Sequence, residues 1–74
     1  MEVTVKLFGD LREGRFAQEK TQLEDNSRVI DVINRHELPL EHVAMCLVNS
    51  RQAEFGQVLQ NGDTVAFSPP VGGM

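Results

Sequence analysis

Two consecutive prolines, Pro69 and Pro70, limit any sheet this chain can build. Neither has an amide hydrogen, so ladder hydrogen bonding lapses there, and the residue before a proline is biased to extended geometry. Just upstream, Thr64 to Phe67 alternates as a short strand, with Val65 and Phe67 on one face and Thr64 and Ala66 on the other. Asn61-Gly62 supplies the positive φ angles of a tight turn before it. The chain from Leu59 onward thus reads as a turn, a strand, a stiff joint and an end, Val71-Gly72-Gly73-Met74, that has no reason to fold back. The expected division is a domain over residues 1–68 and a projecting, flexible tail over residues 69–74.

The rest of the chain must supply partners for that strand. Met1 to Phe8 alternates, with Val3, Val5 and Leu7 facing one way and Glu2, Thr4 and Lys6 the other. Gly9-Asp10 and Glu13-Gly14 bracket a loop. Phe16 to Leu23 is the return strand, polar enough for an edge. Glu24-Asp25-Asn26-Ser27 has the side chains of a helix start. Val29, Val32, Ile33 and His36 then form one stripe, with Ile30 beside them, and Pro39 ends the helix at or before Leu38. Val43 to Val48 is almost wholly apolar, which predicts a strand that is central or covered on both faces. Asn49-Ser50 turns the chain, and Gln52 to Phe55 is a candidate short strand. The economical packing is α+β: one main helix on one face of a mixed four- to five-stranded sheet, with the first and last strands parallel.

Composition narrows the function classes. Seventy-four residues make one small domain, burying about 60% of its unfolded surface. Seven basic against eleven acidic residues give a net charge of −4, which argues against nucleic acid as a partner. No apolar run is long enough to cross a membrane, and no signal peptide is visible. Cys46 is the single cysteine, which suits a reducing cytoplasm.

Candidate reactive groups have plain structural readings. His42 and Cys46 on one strand would stand roughly 13 Å apart, too far for a dyad. Cys46 reads as a small core residue and His36 as a half-buried packing residue. No metal-ligand spacing and no cofactor site are evident. Nothing assembles a base, a nucleophile and an electrophile-stabilising group, so the chain is not an enzyme by itself. Phe67 has a core and an interface reading. Phe8 falls opposite Val3, Val5 and Leu7 by parity, which favours the surface.

The spaced string Leu59, Gly62, Asp63, Val65, Phe67, Pro69, Pro70 and Val71, followed by Gly72-Gly73, resembles the C-terminus of the ubiquitin-like sulfur carriers. The likeness is greatest to the small subunit of molybdopterin synthase and looser to the thiamine sulfur carrier. Leu7 to Glu13 resembles the end of that family's first strand and the following turn. The resemblance implies a β-grasp fold and docking of partner enzymes near Phe8, Arg12, Phe67, Pro69 and Pro70. It also implies an adenylating, E1-like partner that uses ATP to activate a terminal glycine carboxylate, which becomes a thiocarboxylate. The large subunit of molybdopterin synthase would then receive the sulfur. Here Val71 is followed directly by Gly72-Gly73, and Met74 comes last, where the family pattern has one variable residue and then a terminal Gly-Gly. Gly73 is therefore the expected acyl carrier once Met74 is removed, with Val71 and Gly72 lining the threaded tail. A carrier for thiamine or another metabolite, a binding module that is never activated, and a protein modifier are the alternatives.

Overall fold

A computed structural model of the protein describes residues 1–70. Val71, Gly72, Gly73 and Met74, on which the tail expectation rests, lie outside the described residues. The elements are β1 (Glu2–Leu7), β2 (Gln18–Gln22), α1 (Val29–Arg35), β3 (Met45–Val48), β4 (Arg51–Gln52) and β5 (Thr64–Ser68), with 3₁₀ turns at Gly9–Arg12 and Leu40–His42. The strands form one sheet in the order β2-β1-β5-β3-β4. β5 is central, parallel to β1 and antiparallel to β3. This is the expected mixed sheet, and one helix packed against it makes the architecture a β-grasp.

Alternation decides which face is buried. Val3, Val5 and Leu7 of β1, Val65 and Phe67 of β5, and Cys46 and Val48 of β3 all point inward and are at most 5% exposed. Val29, Val32 and Ile33 of α1 close over them. The intervening residues face the other way, and no helix among the described residues covers them. Of the two expectations for β3 the first holds, since it lies inside the sheet between β5 and β4; it is covered on one face only, because α1 is the only α-helix among the described residues. Met45 is 45% exposed and Leu47 is half-buried. The strand is also shorter than its apolar run, since Leu40–His42 winds into a 3₁₀ turn after Pro39. β4 begins one residue earlier than expected and ends at Gln52.

The helix start also departs from the polar cluster before it. Asn26 takes a left-handed φ of 68°. The Ser27 hydroxyl donates to the Glu24 carbonyl at 2.7 Å, so these side chains close a turn rather than cap a helix. The N-cap is Arg28, whose N–H donates to the Asp31 carboxylate at 2.7 Å. The next two N–H groups, of Val29 and Ile30, donate to the carbonyls of Gln57 and Phe55 at 3.0 and 2.8 Å. A distant loop thus satisfies donors that a helix leaves orphaned. At the other end Leu38 N–H donates to Ile33 O and Glu37 N–H to Asn34 O, a Schellman closure with Glu37 at φ 54° where glycine is usual.

The remaining turns behave as their residues require. Asn49 and Ser50 both have positive φ, 53° and 71°, which is the two-residue hairpin geometry that follows strand twist. In Asn61-Gly62 only the glycine is left-handed, at φ 91°. Asn61 contributes its side chain instead, accepting the Glu2 N–H at 2.8 Å.

Candidate docking face and tail root

The uncovered face of the sheet is most apolar at the end where β5 runs into the prolines. Strand register sets the rows. Lys6, Ala66 and Leu47 form one row across β1, β5 and β3. The next row pairs Ser68 with Met45. Phe8 joins that row from the β1 side, its N–H donating to the Phe67 carbonyl at 3.1 Å. Phe8 is extended (φ −119°, ψ 161°) and 46% exposed, so the parity reading of a surface aromatic holds. Leu40, at the nearby 3₁₀ turn, is 47% exposed. An apolar strip of Phe8, Met45 and Leu47 therefore lies beside the root of the tail.

Of the other expected contact residues, Phe67 is fully buried. Its side chain belongs to the core, because Val65 parity aims it at α1, and only its backbone reaches the docking end. Arg12 is exposed, and no ion pair engages it among the described residues. Pro69 is half-buried and Pro70 exposed.

One pair was not anticipated. His42 Nε2 lies 2.8 and 2.9 Å from the two carboxylate oxygens of Asp10, tying the two 3₁₀ turns together beside Phe8. Nothing in local sequence marks it, since the partners are 32 residues apart. His42 does not approach a strand position from which it could serve Cys46. Cys46 is 3% exposed and donates its thiol to the Ala53 carbonyl at 2.9 Å. Burial raises its pKa, with the Ala53 contact opposing, so it is a core thiol rather than a nucleophile. His36 meets the Thr21 hydroxyl at 3.0 Å and the edge of Phe16 at 5.0 Å between ring centroids. Burial lowers its pKa, Glu19 raises it and Arg35 lowers it again.

An open polar groove lies at the opposite end of the sheet, along Asn49, Arg51, Gln52, Gln57 and Asp63. Its carboxylate, Asp63, accepts from the Asn49 amide and the Gln60 N–H, and no histidine or cysteine lines it. Among the described residues no cluster of His, Cys, Asp and Glu has metal-site geometry, and no helix is long and apolar enough to cross a membrane. What the tail end offers is an exposed apolar strip beside two consecutive prolines.

Comparison with known proteins agrees with this geometry. The ThiS family model matches residues 5–73. Among curated proteins none matches. SAMP1 from Haloferax volcanii superposes with a TM-score of 0.78 at 26% identity, covering 100% of both chains. A Pyrococcus furiosus protein assigned as molybdopterin converting factor subunit 1 gives 0.76 at 30% identity, covering 96% of this chain and 99% of that one. Subunit 1 in a complex of molybdopterin-converting factor subunits 1 and 2 from Helicobacter pylori gives 0.68 at 22% identity over 100% of each chain, a likeness of fold.

Proposed function

Because the chain belongs to the ThiS family, we propose that it is a sulfur carrier that acts from Gly73 in molybdenum or tungsten cofactor biosynthesis, after removal of Met74. The observation that carries this is the root of the tail: central β5 passes straight into Pro69-Pro70 beside an uncovered apolar strip. The family match ends at Gly73, which leaves Met74 outside the pattern. The 30% identity to the Pyrococcus protein supports the molybdopterin branch.

The chemistry belongs to partners. An adenylating, E1-like enzyme would bring the Gly73 carboxylate onto the α-phosphorus of ATP, breaking the α–β phosphoanhydride bond and releasing pyrophosphate. Hydrosulfide then attacks the acyl carbon, AMP leaves, and the thiocarboxylate remains. The synthase large subunit would take that sulfur, with Phe8, Arg12, Pro69 and Pro70 at the docking end. Residues without Cβ thread a narrow tunnel, whereas Met74 brings a Cβ and a thioether to the place of reaction. On this reading the protein works in the cytoplasm, where ATP and its enzymes are, and it is a co-substrate rather than a catalyst. A modifier reading has one observation in its favour, the full-length likeness to SAMP1; small archaeal modifier protein 1 is the expanded form of that name. There Gly73 would be joined to lysines.

The test mixes the activating enzyme and ATP with the full-length chain or with one ending at Gly73, and follows ATP–pyrophosphate exchange. Exchange by the Gly73 form alone is expected. Equal exchange by both would refute the steric role of Met74, and none from either would leave a binding module. Intact mass from the native host separates the fates: a carrier loses Met74 and gains the difference between sulfur and oxygen, while a modifier appears joined to other proteins.

A further inference from the structure

We infer that Gly9 is a positioning residue for the tail, holding Pro69 by the absence of a side chain and so setting the heading with which the chain leaves the sheet. The inference rests on the sulfur-carrier reading for its consequence, though not for its geometry. Gly9 has φ +58°, and a Cβ there would lie 2.8 Å from Pro69 Cγ and 3.2 Å from Cδ. Carbon atoms pack best at about 3.5–4.0 Å, so a methyl at residue 9 forces a movement of roughly 0.7 Å or more.

Which side moves follows from what holds each. The turn carrying Gly9 is fixed on every side. Leu11 is 1% exposed in the core, Asp10 is tied to His42 at 2.8 Å, and Phe8 N–H is bonded to Phe67 O at 3.1 Å. Arg15 adds a bond from its guanidinium to Leu11 O at 3.3 Å. Pro69 has less to hold it. The last ladder contact before it is the Ser68 carbonyl, which accepts Ala44 N–H at 2.9 Å, and a proline donates nothing further. Pro69 therefore yields, and its rigid ring passes the displacement to Pro70.

A displacement of that size matters at the end of a tail. Reacting atoms must approach to about 3–3.5 Å, and a misplacement of about 1 Å can cost on the order of 100-fold in rate. Docking through Phe8 and Met45 would be left intact, so the loss falls on turnover rather than on capture.

Gly14 provides the comparison, because it has φ +71° with nothing within 4 Å of a Cβ. Gly14→Ala thus carries backbone strain without contact. The experiment compares Gly9→Ala, Gly14→Ala, Pro69→Ala and the double variant Gly9→Ala/Pro69→Ala in the full-length and Gly73-ending chains. Two quantities are read: the Cα–Hα residual dipolar couplings of Pro70, and kcat and KM for ATP–pyrophosphate exchange. Gly9→Ala is expected to change the Pro70 couplings and lower kcat about 10- to 100-fold, with KM within about twofold of wild type. Gly14→Ala changes neither. In the double variant both quantities return to those of Pro69→Ala, since the ring that clashed is gone. Unchanged Pro70 couplings, an unchanged kcat, or a Gly9→Ala defect in folding or rate that Pro69→Ala does not relieve would each overturn the inference. If no form of the wild type exchanges while the couplings follow the expected order, the positioning contact stands and the sulfur-carrier reading is what fails.

Discussion

Phe8 and Phe67 are near neighbours in the sheet and opposite in environment, so truncating each separates docking from folding. Phe67 is completely buried at the centre of the core, between β1 and β3. Removing a buried Phe side chain costs about 3–5 kcal/mol, transfer and cavity together. A domain of 74 residues has about 4–11 kcal/mol in total at typical per-residue stability. Phe67→Ala should therefore be only marginally folded. Phe8 is 46% exposed, so about half of the ~1.5–3 kcal/mol of a buried aromatic is at stake, or about 1 kcal/mol. That is a melting shift of roughly 4–8 °C in a chain of this size. Binding should respond in reverse, because a centrally placed aromatic commonly costs about 2 kcal/mol or more at an interface. Urea melts of both variants, with calorimetric titration of Phe8→Ala against the activating enzyme, measure the two sides. The reasoning is refuted if Phe8→Ala melts like Phe67→Ala, or if it binds as tightly as wild type.

Three further outcomes are expected. His36 is neutral by preference in the folded state, since burial holds its pKa below 6.5. The unfolded chain then binds more protons below about pH 6.5, so stability present above that pH is lost as pH falls toward the lowered folded value. His36→Gln should flatten that part of the pH–stability curve, and an unchanged slope would remove His36 as its source. Cys46, buried with a raised pKa, should react with a disulfide reagent at pH 8 at least ~100-fold more slowly in the native than in the denatured protein; equal rates would mean the thiol is accessible. Glu37 sits at φ 54° in the helix closure, where a non-glycine residue costs about 1–2 kcal/mol. Glycine's extra freedom in the unfolded chain offsets about 0.4–1 of that. Glu37→Gly should thus gain up to about 1.6 kcal/mol in denaturant melts, and a loss would show that its side chain matters more than its backbone.

What the sequence by itself determined are features set by neighbouring residues. Alternation of Val3, Val5 and Leu7 and of Val65 and Phe67 marked two strands and their buried faces, because the strand period is a property of the backbone alone. The stripe of Val29, Val32 and Ile33, the Asn49-Ser50 turn and the stop at Pro69-Pro70 are local in the same sense. The string at the C-terminus marked the family. Only the tertiary structure decided matters that depend on which distant groups meet. The helix starts at Arg28 because the carbonyls of Phe55 and Gln57 arrive at its first N–H groups, and no propensity of residues 24–27 reports that. The apolar run at β3 fitted either an interior strand or one covered on both sides, and the sheet order decided for the first, with one helix among the described residues to cover one face. Met45 and Leu47 were left beside Phe8 by register, not by periodicity. Asp10 met His42, and Gly9 met Pro69, because the first strand lies parallel to the last. Their partners lie 32 or more residues apart in the chain, and short-range sterics carries no information over that separation.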